Sequence, residues 1–92
     1  MSEHHLTRRT LLKLGGGRYS LVEAVVGESS PAAGATLSSL PVPLECVIVG
    51  ILRNGDVVLP RGPTVLRAGD HMIVLAHEDH CQEIRVLLEG QA

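Results

Sequence analysis

The 92-residue sequence has no tryptophan and no phenylalanine, and Tyr19 is its single aromatic residue. It therefore lacks the stacking platforms on which single-stranded nucleic acids are held, and the large rings that anchor strong protein interfaces. Neither charge dominates: eight Lys and Arg stand against ten Asp and Glu, a net charge of −2 with the signs interspersed. Without a basic stripe, no nucleic-acid partner is expected. No apolar run reaches the roughly 18 residues that span a bilayer, so no direct membrane insertion is expected. The opening MSEHHLTRRT is polar and holds no hydrophobic secretory segment. Cys46 and Cys81 are isolated in apolar stretches and read as small buried hydrophobes in a reducing cytoplasm, not as a disulfide.

What is present is aliphatic: 45% of the residues are hydrophobic, nearly all Val, Leu, Ile and Ala. A chain of this length is one small domain that buries roughly 60–65% of its unfolded surface, and a second copy is the expected remedy for so thin a core. Residues 1–18 read as an N-terminal linker or arm. Leu6, Leu11, Leu12 and Leu14 alternate with Arg8, Arg9 and Lys13, which fits a short amphipathic helix or an extended segment. The glycines at 15–17 read as a flexible joint; no Gly-Lys-Ser/Thr follows them, so a phosphate loop is not expected. Residues 19–90 form the folded unit. Its β-branched stretch 19–27 predicts a strand, and Pro31, Gly34, Pro41 and Pro43 bracket one short helix over about 34–40, with Leu37 and Leu40 inward.

One five-residue pattern occurs twice, as LRNGD at 52–56 and LRAGD at 66–70. Asn-Gly between two apolar runs predicts a two-residue type I′ turn, because both central residues need positive φ. That turn sets Arg53 opposite Asp56, Leu52 opposite Val57 and Ile51 opposite Val58. The Arg53–Asp56 pair is then exposed and contributes about 0–1 kcal/mol. The twin motifs read as two glycine turns feeding two strands, each clamped by its own Arg and Asp. Residues 71–77 are apolar on nearly both faces, which predicts a strand covered on both sides. A helix closes the chain. Asp79 and Gln82 suit its capping box, Cys81, Ile84, Leu87 and Leu88 its inward stripe, and Gly90 its end.

Five histidines raise the question of a metal, but His77 ends a strand while His80 and Cys81 open a helix, so the convergence that zinc requires is not expected. Glu78, Asp79 and Glu83 around Cys81 favour its thiol form over a nucleophilic thiolate. The serines show no nucleophile-elbow pattern. No enzyme activity is expected.

The ordered set Ser30-Pro31-x-x-Gly34 with Leu37, Ile51-x-Arg53-x-Gly55, Pro60-Arg61-Gly62 and Leu66-x-x-Gly69-Asp70 resembles the C-terminal lobe of the regulator-of-potassium-conductance proteins, the TrkA-C domain, over about residues 19–89. Pro63 stands where that family has an acidic or polar residue. The resemblance implies an α+β fold: a small β-sheet with the Asn-Gly hairpin and two or three short helices, dimeric. It implies a cytoplasmic regulatory domain of a potassium channel or other cation transport protein, attached to an inner-membrane transport protein that is either the same full-length chain or a separate subunit. With no Gly-x-Gly-x-x-Gly present, NAD or ATP binding is not implied, and no cofactor is expected beyond a small effector such as a cyclic dinucleotide. The pocket is expected where the loop of Ser30, Pro31 and Ala32 meets the first helix, with Leu40, Pro41 and Pro43 as an apolar wall and Arg53 or Arg61 for an anion. The competing expectation is a purely structural dimerisation module with no effector.

Overall fold

In the computed structural model, which describes residues 8–90, five antiparallel strands form one sheet in the order β1-β2-β5-β3-β4. The strands are β1 (Arg8–Leu14), β2 (Tyr19–Val25), β3 (Cys46–Arg53), β4 (Asp56–Val58) and β5 (His71–His77), and helix α1 (Cys81–Glu89) follows them. The first seven residues of the expected arm, with Leu6, lie outside the described residues.

Residues 8–14 are the edge strand of the sheet, paired with β2 from Arg8↔Ala24 to Leu14↔Tyr19, and not a helix. The pairing slips between Thr10 and Leu12, so Leu11 is the extra residue of a bulge. The glycines that read as a flexible joint form an ordered turn between β1 and β2. Their φ values are +59°, +70° and +89°, a run of left-handed conformations that residues with a Cβ resist. Between β3 and β4, Asn54 (φ +53°) and Gly55 (φ +84°) make the turn, and Arg53 lies opposite Asp56, Leu52 opposite Val57 and Ile51 opposite Val58.

The alternation of β2 is strict: Ser20, Val22 and Ala24 are buried, and the residues between them are half-buried. Their register partners Ala76, Val74 and Met72 on β5 are buried too, as is Ile51 beside Met72. Helix α1 sets Ile84 and Leu88 on this inner face, fully buried. Burying an aliphatic side chain of this size contributes about 1.5–3 kcal/mol, so these residues hold the fold. The expected second layer over β5 is absent among the described residues. Its inner face is buried, while Ile73, Leu75 and His77 remain half-exposed.

Two local expectations change. The short helix at 34–40 is a single 3-10 turn, Leu37–Ser39. The backbone on either side is spent on another partner: the Gly34 N–H donates to Leu66 O, the Leu66 N–H to Ala35 O and the Leu37 N–H to Thr64 O. At the closing helix, Asp79 is not the cap. The chain enters through a 3-10 turn, Glu78–His80, and the His77 Nδ1 accepts the Asp79 N–H at 3.1 Å.

Candidate functional site

The repeated LRxGD turns are brought together, and their charges pair across motifs. Arg53 of the first donates from Nε to Asp70 Oδ1 (2.9 Å) and from Nη2 to Asp70 Oδ2 (2.8 Å) of the second. The same Nη2 reaches the Val65 carbonyl at 3.0 Å, and the Arg67 N–H donates to Asp70 Oδ2 at 2.9 Å. The expected contact of Arg53 with Asp56 is therefore superseded, although the two face each other in register. The Asp70 side chain is 2% exposed and that of Arg53 18%, so water screens the pair poorly. Burial by itself raises the Asp70 carboxyl; the Arg53 hydrogen bonds and the Arg67 amide outweigh it and hold the group below the ordinary carboxylate range. The same bond raises the Arg53 guanidinium.

Beside this lock, Leu52, Asn54, Gly55, Gly69 and His71 line a hollow of about 310 Å³, so the glycines of both turns form one wall. It opens on the outer face of the sheet, where Leu52 is paired with His71.

The Ser30 loop is elsewhere. Ser30 is buried; its Oγ donates to the Leu87 carbonyl (3.2 Å) and accepts the Ala32 N–H (3.0 Å), fastening the loop to the last turn of α1. Ala32 is fully buried, Pro31 is exposed, and Leu40 packs on the core. Pro41 does meet the helix: with Asp79, Gln82, Glu83, Val86 and Leu87 it lines an open groove of about 610 Å³. The Pro43 carbonyl accepts the Cys46 N–H at 3.0 Å. Ser30 and Pro41 thus converge on Leu87, whereas Arg53 sits among the twin turns, and exposed Arg61 belongs to a turn closed by Thr64. The groove carries carboxylates on its rim, so it suits apolar or cationic groups better than a phosphate.

The largest feature was hidden in the sequence. The outer face of the sheet carries Leu12, Leu14, Leu21, Val25, Ile73, Leu75, Val47, Leu52 and Val57, matched in register across all five strands. Val57 is 68% exposed, Val47 56% and Leu12 53%, so no element among the described residues covers the face. Its polar break is Glu23, whose Oε2 meets His71 Nδ1 at 2.7 Å. A period-2 pattern read strand by strand gives each apolar residue but not their alignment into one surface. Among the described residues no helix is long and apolar enough to cross a membrane, and no group of three His, Cys, Asp or Glu could hold a metal ion.

A helix closing one face of a small antiparallel sheet is an arrangement that this chain shares with solved regulator-of-potassium-conductance (RCK) domains. The chain is similar over 94% of its length to the GsuK RCK domain (TM-score 0.76, 20% identity, 19% of that chain covered). It is also similar, over 73% of its length, to the RCK_C domain dimer of S. agalactiae BusR in complex with c-di-AMP (TM-score 0.62, 27% identity, 92% of that chain covered). The TrkA-C domain model matches residues 21–89, and the chain belongs to that family. A Trk system potassium uptake protein TrkA homolog of Archaeoglobus fulgidus is 37% identical over 70 residues, which are 76% of this chain and 16% of that protein. The chain thus spans a minor part of the length of the curated relatives it matches.

Proposed function

We propose that this domain is a cytoplasmic regulatory module of a cation transport protein, that it works as a homodimer without catalytic chemistry of its own, and that it responds to a small effector. The uncovered apolar face of the sheet carries this reading. Four strands of seven or eight residues and the three-residue β4, about 4.8 Å apart with about 3.4 Å per residue, make a face of roughly 500 Å², near the low end of about 600 Å² that one partner of a specific interface buries. Two such faces packed about 10 Å apart complete the core that one copy lacks. The BusR relative is a dimer in complex with c-di-AMP, and the TrkA relative is a potassium uptake protein; both support the assignment, with the membrane transport protein as the further partner.

An effector shifts such a module only as far as it prefers one arrangement of the copies over another. Of the residues expected to hold it, Ser30 and Ala32 are already engaged in packing. Pro31, Leu40, Pro41 and Pro43 remain as wall residues of the helix side, and Arg53 or Arg61 as the anion contact. A second reading, a structural dimerisation module with no effector, is favoured by one observation: the Arg53 fork is already filled by Asp70.

Light scattering at micromolar concentration separates the dimer from the monomer. The wild type is expected at twice the monomer mass and Val47→Lys, exposed in one copy, at the monomer mass; a monomeric wild type ends the dimer proposal. Melting curves with cyclic dinucleotides then separate sensor from structural module. An effector at 100 times its Kd raises stability by about 2.7 kcal/mol, and no change with any of them leaves the structural module.

A further inference from the structure

The corner where β5 passes into α1 holds two histidines, and one of them stands between two carboxylates. His80 has a carboxylate on each ring nitrogen: Nδ1 lies 3.0 Å from Glu83 Oε1, and Nε2 lies 3.4 Å from Glu45 Oε1. A neutral imidazole has one N–H and one lone pair, so it satisfies one carboxylate and repels the other; only imidazolium donates to both. The neighbouring His77, whose ring lies 6.2 Å away, accepts the Asp79 N–H on Nδ1, which requires that nitrogen to be unprotonated.

The two carboxylates come from different places. Glu45 belongs to the segment entering β3, just after Pro41 and Pro43, and its carbonyl accepts the His77 N–H at 3.2 Å. Glu83 lies on the first turn of α1 and on the rim of the groove that Pro41 also lines. We propose that His80 is a proton-operated latch: as imidazolium it ties the Pro41–Glu45 segment to α1 across the mouth of the groove, and as neutral imidazole it lets that segment go.

The charges facing it are Glu45 from the entering segment, Glu83 from α1, Glu78 and Asp79 from its own turn, and His77 from β5. The carboxylates favour the charged ring. The Glu83 hydrogen bond is the largest cause; with the Glu83 charge and the smaller contributions of Glu45 it outweighs the loss from burial and raises the group above the ordinary histidine value. The sign follows: a raised folded value gives a contribution fully present below about pH 6.5, the unfolded value, and lost as pH rises through the folded one.

The latch is independent of any effector, and nuclear magnetic resonance of the imidazoles tests it directly. His80 is expected to titrate above pH 6.5, with both ring nitrogens protonated below its midpoint, and Glu45→Gln and Glu83→Gln are each expected to lower that midpoint. Backbone relaxation of residues 42–45, compared between wild type and His80→Gln at the same pH, should differ at pH 6 and coincide at pH 8.5. A midpoint unmoved by Glu45→Gln, or relaxation equal in the two proteins at pH 6, would overturn the proposal. The His80 side chain is 30% exposed and lies outside the buried core, so these variants keep the fold.

Discussion

LRNGD and LRAGD are nearly the same five letters, yet the structure uses opposite halves of them. In the first, Arg53 turns inward and Asp56 stays exposed; in the second, Asp70 is buried and Arg67 offers its backbone amide while its side chain remains outside. One copy supplies the cation and the other the anion of a single lock. A repeated motif therefore does not imply a repeated role. What repeats is the positive φ of the glycine, +84° at Gly55 and +92° at Gly69; Asn54 shares it and Ala68 does not.

The comparison breaks most severely when the lock loses one partner. Arg53→Ala or Asp70→Ala leaves a charge without its partner in a poorly screened place, and each is expected to lower stability by about 3–5 kcal/mol in denaturant unfolding. The double variant should lose much less than the sum, which a double-mutant cycle reads as coupling. The lock also sets an acid limit. Because Asp70 is lowered on folding, its contribution is present above the unfolded carboxylate value of about 3.9 and disappears as pH falls through the folded one. Arg53→Ala should remove that acid dependence.

Next comes the turn itself. Gly55→Val forces a β-branched residue to φ +84° and is expected to cost about 1–3 kcal/mol. That places it below the loss of Arg53, the reverse of what an exposed Arg53–Asp56 pair implies. The smallest effects belong to the unused halves: Asp56→Ala and Arg67→Ala should each change stability by no more than about 0.5 kcal/mol. A loss at Asp56 equal to that at Asp70 would mean that both motifs clamp themselves, as the sequence suggests.

Local chemistry was the readable part. The positive-φ turns, the strand at 19–25, the register from Arg53 to Asp56 and the buried stripe of Ile84 and Leu88 all follow from residues close in sequence. What escaped depends on distant partners. β1 was obscured because its bulge at Leu11 breaks the period of two. The helix over 34–40 was lost to hydrogen bonds from residues 64–66. Arg53 had two aspartates at equal apparent claim, Asp56 across the turn and Asp70 in another segment, and tertiary packing chose the second. Of the expected site, the meeting of Pro41 with the closing helix required the sheet to be built first.

The strand order carries a consequence for how the chain reaches this state. The pair β1–β2 and the pair β3–β4 share no strand contact, and both are joined through β5, the last strand to leave the ribosome. Until residues 71–77 arrive, β2 and β3 each present an unpaired edge, and the core residues Val22, Ala24 and Ile51 lack their neighbours Val74 and Met72 on β5. Folding must therefore wait for a late insertion between two waiting hairpins, a non-local step of the kind that slows β-proteins. A nascent or truncated chain that stops before His71 holds two sticky edges and no centre, which makes it the form most prone to aggregate.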